Sequence, residues 1–133
     1  MYTLTTMVEF SSAHTLVGHS GPCKKMHGHN WKVEVEITGE KLDKIGMVVD
    51  FKEIRKATNL VVDELDHEFL NNLEPFSEDN PTAENIARYI FTKLSEEFSD
   101  KNVKVNSIKL WETDKSAVSY NCLLYTSPSP RDS

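Results

Sequence analysis

A two-residue alternation of apolar and polar side chains in residues 30–38 limits what this chain can fold into. One parity is apolar: Trp31, Val33, Val35 and Ile37. The other parity is polar: Lys32, Glu34, Glu36 and Thr38. Successive side chains of a strand point to opposite faces, so the pattern predicts a β-strand with one buried face. A similar alternation in residues 2–14 predicts another strand that ends near His14.

Two helices are predicted between residue 50 and residue 98. Asp50 followed by Glu53 resembles a capping box, and an apolar stripe continues to about residue 64 through Phe51, Ile54, Leu60, Val61 and Leu65. A second helix is expected from Asn80-Pro81-Thr82, where either Asn80 or Thr82 provides the cap. Its apolar positions have helical spacing: Ala83, Ile86, Ala87, Ile90, Phe91, Leu94 and Phe98.

Two more strands are predicted near the C-terminus, at residues 102–112 and around Val118 and Tyr120. The apolar parity changes near Asn106-Ser107, which predicts a β-bulge there. The order β-β-α-α-β-β favours an α+β fold, with a four-stranded antiparallel sheet and two helices on one face. A chain of 133 residues is expected to form one domain of this kind.

Charge and cysteine content exclude several functional classes. The net charge of −6 argues against broad binding to nucleic acid or to an anionic membrane. No secretory signal and no apolar run of membrane-spanning length is visible. The two cysteines, Cys23 and Cys122, lie far apart, so a structural disulfide is not expected. We therefore expect a cytoplasmic protein.

Three histidines form a candidate metal site. His27 and His29 share one parity of an extended segment, about 6–7 Å apart at roughly 3.3 Å per residue. His14 ends the neighbouring predicted strand. Three imidazoles are the ligand set of a catalytic zinc site with one open position. The alternative is that His14 ends a strand and His27-Gly28-His29 forms a polar turn, and the shared parity favours the metal.

Cys23 and the Asp66-His67 pair are candidates for acid–base chemistry. Cys23 precedes two lysines, whose charge would lower the pKa of a thiol, although a free cysteine is more often a small buried residue. Asp66 could hold and orient the imidazole of His67 as a proton relay. Equally, His67 could sit at a helix C-terminus, where the dipole favours it.

Glu112 is an unusual carboxylate because it shares its face with Ile108 and Leu110. A carboxylate there could accept two parallel N–H bonds from a ligand. The alternative, a solvated carboxylate at a strand end, remains open on the sequence alone.

These residues together resemble the 6-pyruvoyl-tetrahydropterin synthase superfamily, in order and in spacing over about residues 2–120. The short gap between Cys23 and His27 is similar to the 6-carboxy-tetrahydropterin synthase branch of queuosine biosynthesis. The matching motifs are Phe10-Ser11-Ser12-Ala13-His14, Cys23 with His27-Gly28-His29, Gly46 with Asp50-Phe51, Leu65-Asp66-His67, Pro81-Thr82-Ala83-Glu84-Asn85 and Glu112-Thr113.

The resemblance implies a tunnelling fold (T-fold), usually assembled as a homohexamer with active sites between subunits. It implies that His14, His27 and His29 bind Zn²⁺, that Cys23 is the catalytic thiol, and that Asp66 and His67 are an acid–base pair. Glu112 would anchor the pterin, with Thr82 as a weaker contact. The implied reaction converts 7,8-dihydroneopterin triphosphate to 6-carboxy-5,6,7,8-tetrahydropterin, acetaldehyde and triphosphate.

The sequence leaves two alternative functions open, and it departs from the family pattern at its C-terminus. The sister activity, 6-pyruvoyl-tetrahydropterin synthase or a related pterin-side-chain lyase, is one alternative. A non-catalytic zinc module, in which Cys23 joins the three histidines as ligands, is the other. We expect a synthase domain over residues 1–121. Residues 122–133 match nothing in the family, and their composition predicts a disordered tail.

Overall fold

The fold is a four-stranded antiparallel sheet with two helices inserted between its second and third strands. The computed structural model describes residues 1–18 and 26–121, with His27 described by its backbone. The strands are β1 (Tyr2–His14), β2 (His27–Gly39), β3 (Val103–Thr113) and β4 (Ser116–Tyr120), and the helices are α1 (Phe51–Val62) and α2 (Ala83–Glu97). Strand order in the sheet is β1-β2-β3-β4. The predicted β-β-α-α-β-β order is confirmed.

Strands β1 and β2 pair over their full length, from Tyr2 opposite Gly39 to His14 opposite His27. The predicted alternation is confirmed where the apolar parity is buried, from Trp31 to Ile37 in β2 and at Val8 and Phe10 in β1, whereas Tyr2 at the start of β1 is exposed. Phe10 lies opposite Trp31, and the two rings stack with centroids 6.0 Å apart. Such cross-strand aromatic pairs stabilise a sheet beyond the area that they bury. This pair therefore strengthens the sheet close to the end that carries the histidines.

Both predicted helix starts are confirmed by their caps. The Asp50 carboxylate accepts a hydrogen bond from the backbone N–H of Lys52, and the Thr82 hydroxyl accepts one from Asn85. Helix α1 ends at Val62, two residues before the predicted end. The predicted stripe is wrong at Leu60, which is exposed because it lies about 120° around the helix from the buried Ile54. Residue 51 is exposed as well.

The bulge predicted near Asn106 is confirmed. Glu36 pairs with Ser107 and Ile37 with Val105, so one extra residue of β3 lies between the two pairs. The bulge returns the following residues to the buried parity, and Ile108 and Leu110 are fully buried. Glu112 continues that parity at the end of the strand. A register shift far from the histidines thus decides the face on which Glu112 lies.

The core fills the space between the sheet and the helices. Helix α1 contributes Ile54, Val61 and Val62, and α2 contributes Ile86, Ala87, Ile90 and Leu94. Residues 63–82 connect the helices through two short 3₁₀ turns, Leu70–Asn72 and Glu74–Phe76. In the described part of the chain, no helix is long and apolar enough to span a membrane.

Candidate metal and acid–base site

Two of the predicted metal ligands meet at one end of the sheet. His14 ends β1 and His29 lies on β2, and their ring centroids are 5.2 Å apart. Each ring packs edge-on against the fully buried Trp31, with centroids 5.3 and 5.2 Å away. The indole therefore restricts both imidazoles, and such restriction is what a preorganised ligand pair needs.

A backbone carbonyl fixes the protonation of the His14 ring. Nδ1 of His14 lies 2.7 Å from the carbonyl oxygen of Pro81. Because a carbonyl only accepts hydrogen bonds, Nδ1 carries the proton and donates it. In the neutral ring, Nε2 is then the nitrogen that carries the lone pair, which is the usual arrangement of a metal-ligating histidine. Pro81 thus contributes to the site through its backbone carbonyl, a role that neither its place at a helix start nor its family motif predicted.

Glu112 completes a three-residue cluster. Its carboxylate lies 3.0 Å from Nε2 of His29 and 3.6 Å from Nε2 of His14. One ligand atom of each residue lies within 4.8 Å of the other two. Ligands about 2.1 Å from one tetrahedral ion stand about 3.4 Å apart, so the cluster has the spacing of a coordination shell. Two imidazole nitrogens and a carboxylate oxygen are also donors that Zn²⁺ accepts.

The predicted triple-histidine site is only partly described. His27 lies opposite His14 in the β1–β2 register, but its side chain lies outside the described atoms. Its role as a ligand therefore stays a prediction. Glu112 lies beside the two described histidines, and its predicted role as a substrate anchor stays a prediction. Its parity with Ile108 and Leu110 was the sequence signal for that location.

Asp66 and His67 form the predicted contact. A carboxylate oxygen of Asp66 lies 3.0 Å from Nδ1 of His67, and the other accepts the backbone N–H of Ser11 at 2.9 Å. The Ser11 N–H, together with the neighbouring His67, lowers the pKa of the Asp66 carboxyl. Asp66 is thus an ionised partner for the imidazole at neutral pH.

The backbone of His67 has an uncommon conformation. Its φ is 58°, the single positive φ among the described non-glycine residues, and its side chain is 81 % exposed. The His67 N–H donates to the carbonyl of Ser11, which holds the turn against β1. Helix α1 ends five residues earlier, and a helix dipole acts only over its last turn. The geometry therefore favours the Asp66 pairing over the helix-dipole interpretation.

One groove joins the two groups of residues. It has a volume of about 510 Å³, and its walls include Gly28, His29 and Asn30 of β2 as well as His67 and Phe69. A small molecule in this groove would lie beside His29 of the cluster and His67 of the acid–base pair. That placement is what proton transfer beside a bound metal requires.

The predicted roles of Cys23 and Thr82 are not tested by the structure. Cys23 lies in residues 19–25, outside the described residues, together with Lys24 and Lys25. Thr82 uses its hydroxyl oxygen to cap α2, so its sequence context has a structural explanation. Its predicted contact with a pterin stays a prediction. Residues 122–133, predicted to be a disordered tail, also lie outside the described residues.

Comparisons with known proteins point to one family. The family model for 6-pyruvoyl tetrahydropterin synthase matches residues 3–122. A 6-carboxy-5,6,7,8-tetrahydropterin synthase of Rickettsia typhi is 35 % identical over 134 residues, which covers 85 % of this chain and 95 % of the relative. A dihydroneopterin monophosphate aldolase of Pyrococcus furiosus is 38 % identical over 95 residues, which covers 71 % of this chain and 77 % of the relative.

The fold is also similar to that of a solved structure. The 6-pyruvoyl tetrahydropterin synthase of Caenorhabditis elegans superposes with a TM-score of 0.81 at 31 % identity. The match covers 91 % of this chain and 95 % of the nematode chain. The predicted T-fold is thereby confirmed.

Proposed function

Because the chain belongs to the 6-pyruvoyl tetrahydropterin synthase family, we propose that it is a zinc-dependent 6-carboxy-5,6,7,8-tetrahydropterin synthase. The substrate is 7,8-dihydroneopterin triphosphate, and the products are 6-carboxy-tetrahydropterin, acetaldehyde and triphosphate. The proposed role is in queuosine biosynthesis in the cytoplasm. Relatives with the name of this synthase, similar over most of their length, support the choice of product.

The observation that carries the proposal is the single groove bordered by His29 and His67. Removal of a pterin side chain needs a group that stabilises oxygen charge and a group that moves protons. His29, as a candidate metal ligand, and His67, as a candidate proton carrier, both border the groove, which supports the proposal. Neither candidate alone would indicate a carbon–carbon lyase.

The metal would be held by His14 and His29, with His27 as the third ligand that the family resemblance implies. Zn²⁺ bound there supplies Lewis acidity to the hydroxyl oxygens of the substrate side chain. The chain's own contribution is orientation: the Pro81 carbonyl fixes the His14 tautomer, and Trp31 restricts both described rings.

Proton transfer is assigned to His67 and Cys23. Asp66 accepts the hydrogen bond from Nδ1 of His67 and remains ionised, so the exposed Nε2 is free to exchange protons with a substrate. Cys23 is proposed as the thiolate that acts from the opposite side of the substrate. Its assignment depends on the family motif and on the two lysines that follow it.

Glu112 is the proposed anchor of the aminopyrimidine edge of the pterin. A carboxylate accepts two parallel N–H bonds, and Glu112 keeps 30 % of its side chain exposed beside His29. Thr82 is a weaker candidate contact.

We also propose a homohexamer with active sites between subunits, and no nucleic-acid or membrane partner.

Product analysis tests the proposal. The zinc-loaded protein is incubated with 7,8-dihydroneopterin triphosphate, and the pterin and any small carbonyl product are identified. A carboxylated pterin with acetaldehyde supports the proposal. A pyruvoyl pterin without aldehyde would assign the sister synthase activity, and an intact substrate with tightly bound zinc would favour the non-catalytic zinc module.

A further inference from the structure

Residues 66–80 contact every second residue from Ser11 to Val17, along the end of β1 and the residues that follow it. The N–H of Ser11 donates to Asp66 at 2.9 Å, and the carbonyl of Ser11 accepts the N–H of His67. The N–H of Ala13 donates to the carbonyl of Glu68 at 3.1 Å. Alternate residues of an extended chain direct their N–H and C=O groups to the same edge, so these contacts form one ladder.

Two asparagine side chains continue the ladder where the backbone of the connection no longer reaches it. Asn71 accepts the N–H of Thr15 at 2.9 Å and donates to the carbonyl of Thr15 at 2.9 Å. Asn80 accepts the N–H of Val17 at 3.1 Å and donates to the carbonyl of Val17 at 2.8 Å. A carboxamide has the same donor and acceptor as a peptide group, so each asparagine replaces one residue of a missing strand. We call this pair of contacts the asparagine clamps.

The clamps lie on both sides of the His14 hydrogen bond. Asn71 holds Thr15, the residue directly after His14, and Asn80 directly precedes Pro81, whose carbonyl accepts from Nδ1 of His14. Asn80 is itself held, because its carbonyl accepts a hydrogen bond of 2.8 Å from the side chain of Asn85 in α2. Both ends of the contact that orients His14 are therefore fixed by asparagine side chains.

We propose that Asn71 and Asn80 are positioning residues of the metal site. They hold His14 with its Nε2 directed at the ion, in a fixed position relative to the Asp66–His67 pair on the same ladder. The proposal rests on the proposed function only where it concerns turnover. Its direct consequence is a change in metal affinity, which is measured without the enzymatic reaction. Loss of a group that orients a metal-ligating histidine typically weakens metal binding by about 10- to 100-fold.

Aspartate is the informative replacement because it has the shape of asparagine but lacks its N–H donor. In Asn71→Asp, a carboxylate oxygen would face the carbonyl of Thr15, and in Asn80→Asp one would face the carbonyl of Val17. Asn72→Asp is the matched control, since Asn72 is an exposed neighbour in the same 3₁₀ turn. Asn71→Ala removes one clamp without adding a charge. It replaces the aspartate variant in the experiment if that variant fails to fold.

The experiment measures zinc affinity by chelator competition, and the visible spectrum of the Co²⁺-substituted protein, in the full-length chain. We expect about 10- to 100-fold weaker zinc binding and an altered Co²⁺ spectrum in Asn71→Asp and Asn80→Asp, with Asn72→Asp unchanged. Unchanged zinc affinity and Co²⁺ spectrum in folded clamp variants would overturn the proposal, even if their melting temperature fell. If the wild-type protein bound zinc but converted no pterin, the proposed function would fail while these metal-binding results still decided the role of the clamps.

Discussion

Glu112 of β3 and His29 of β2 meet at one end of the sheet, with a carboxylate oxygen 3.0 Å from Nε2. The β2–β3 pairing ends with Lys32 opposite Trp111, and continuing that antiparallel register would put Glu112 opposite Trp31, two residues from His29 on the same face of β2. The contact places an acidic group beside the candidate metal ligands and at the rim of a site proposed to bind a pterin. Replacement of Glu112 should therefore weaken substrate binding without changing the fold.

Glu112→Gln is expected to lower kcat/KM by about 10- to 100-fold, mainly through a higher KM. The amide keeps the shape of the side chain but loses the charge-assisted hydrogen bonds, which contribute about 1.5–3 kcal/mol. Steady-state kinetics with dihydroneopterin triphosphate measure the effect. Asp114→Asn, at an exposed carboxylate two residues further on, is the control and should leave KM unchanged. Equal KM values for Glu112→Gln and the wild type would remove Glu112 from the substrate site.

Asp66→Asn is expected to lower turnover and to change the pH dependence of stability only in acid. The folded-state pKa of Asp66 lies below its unfolded value, which is about 3.9. The stabilising contribution of the carboxylate is thus fully present above that value and is lost as the pH falls through the folded-state pKa. Denaturant unfolding from pH 3 to pH 8 should show a constant difference between variant and wild type above about pH 5, and a smaller difference in acid. A difference that grew on acidification would contradict the assignment.

His67→Gly is expected to abolish turnover without loss of stability. A non-glycine residue in the left-handed region costs roughly 1–2 kcal/mol, which glycine avoids, while the exposed contact with Asp66 contributes little. The free energy of unfolding should stay the same or rise by about 1 kcal/mol, because the greater unfolded-state freedom of glycine offsets part of the gain. Glu68→Gly, next to it without a positive φ, should lower stability instead. Chemical denaturation of both variants tests this, and a marked loss of stability in His67→Gly would show that the imidazole holds the turn.

Cys23→Ala is expected to abolish turnover while the protein keeps its zinc. The proposed thiolate acts on the substrate, and the proposed metal ligands are histidines on β1 and β2. Zinc content after gel filtration measures retention, and His29→Ala is the comparison that should lose the metal. In the wild type, an alkylating reagent should modify Cys23 with zinc in place. Loss of zinc from Cys23→Ala would instead support the module in which cysteine closes the coordination shell.

Local patterns were enough to predict most of the fold. The alternation around Trp31 predicted β2, and the parity change at Asn106 predicted the bulge. Asp50 and the segment Asn80-Pro81-Thr82 predicted the helix starts, and the structure identifies Thr82 as the second cap. Each of these features depends on residues within a few positions of one another, so a sequence pattern describes it completely. The misassigned Leu60 shows the limit, since apolar content alone did not determine which side of α1 met the sheet.

The sequence by itself determined the strand and helix order and the histidine pair on one strand. It left the Asp66–His67 contact and the helix-dipole interpretation equally open, and the structure favours the contact. Only the tertiary structure decided that Glu112 lies against His29, that the Pro81 carbonyl orients His14, and that Asn71 and Asn80 replace a strand at the edge of β1. Those contacts join residues far apart in the chain, and their partners are set by strand register and by the path of the connection between the helices. Local sequence propensities do not predict such long-range contacts, because hydrogen-bonding groups of the same kind occur at many other positions of the chain.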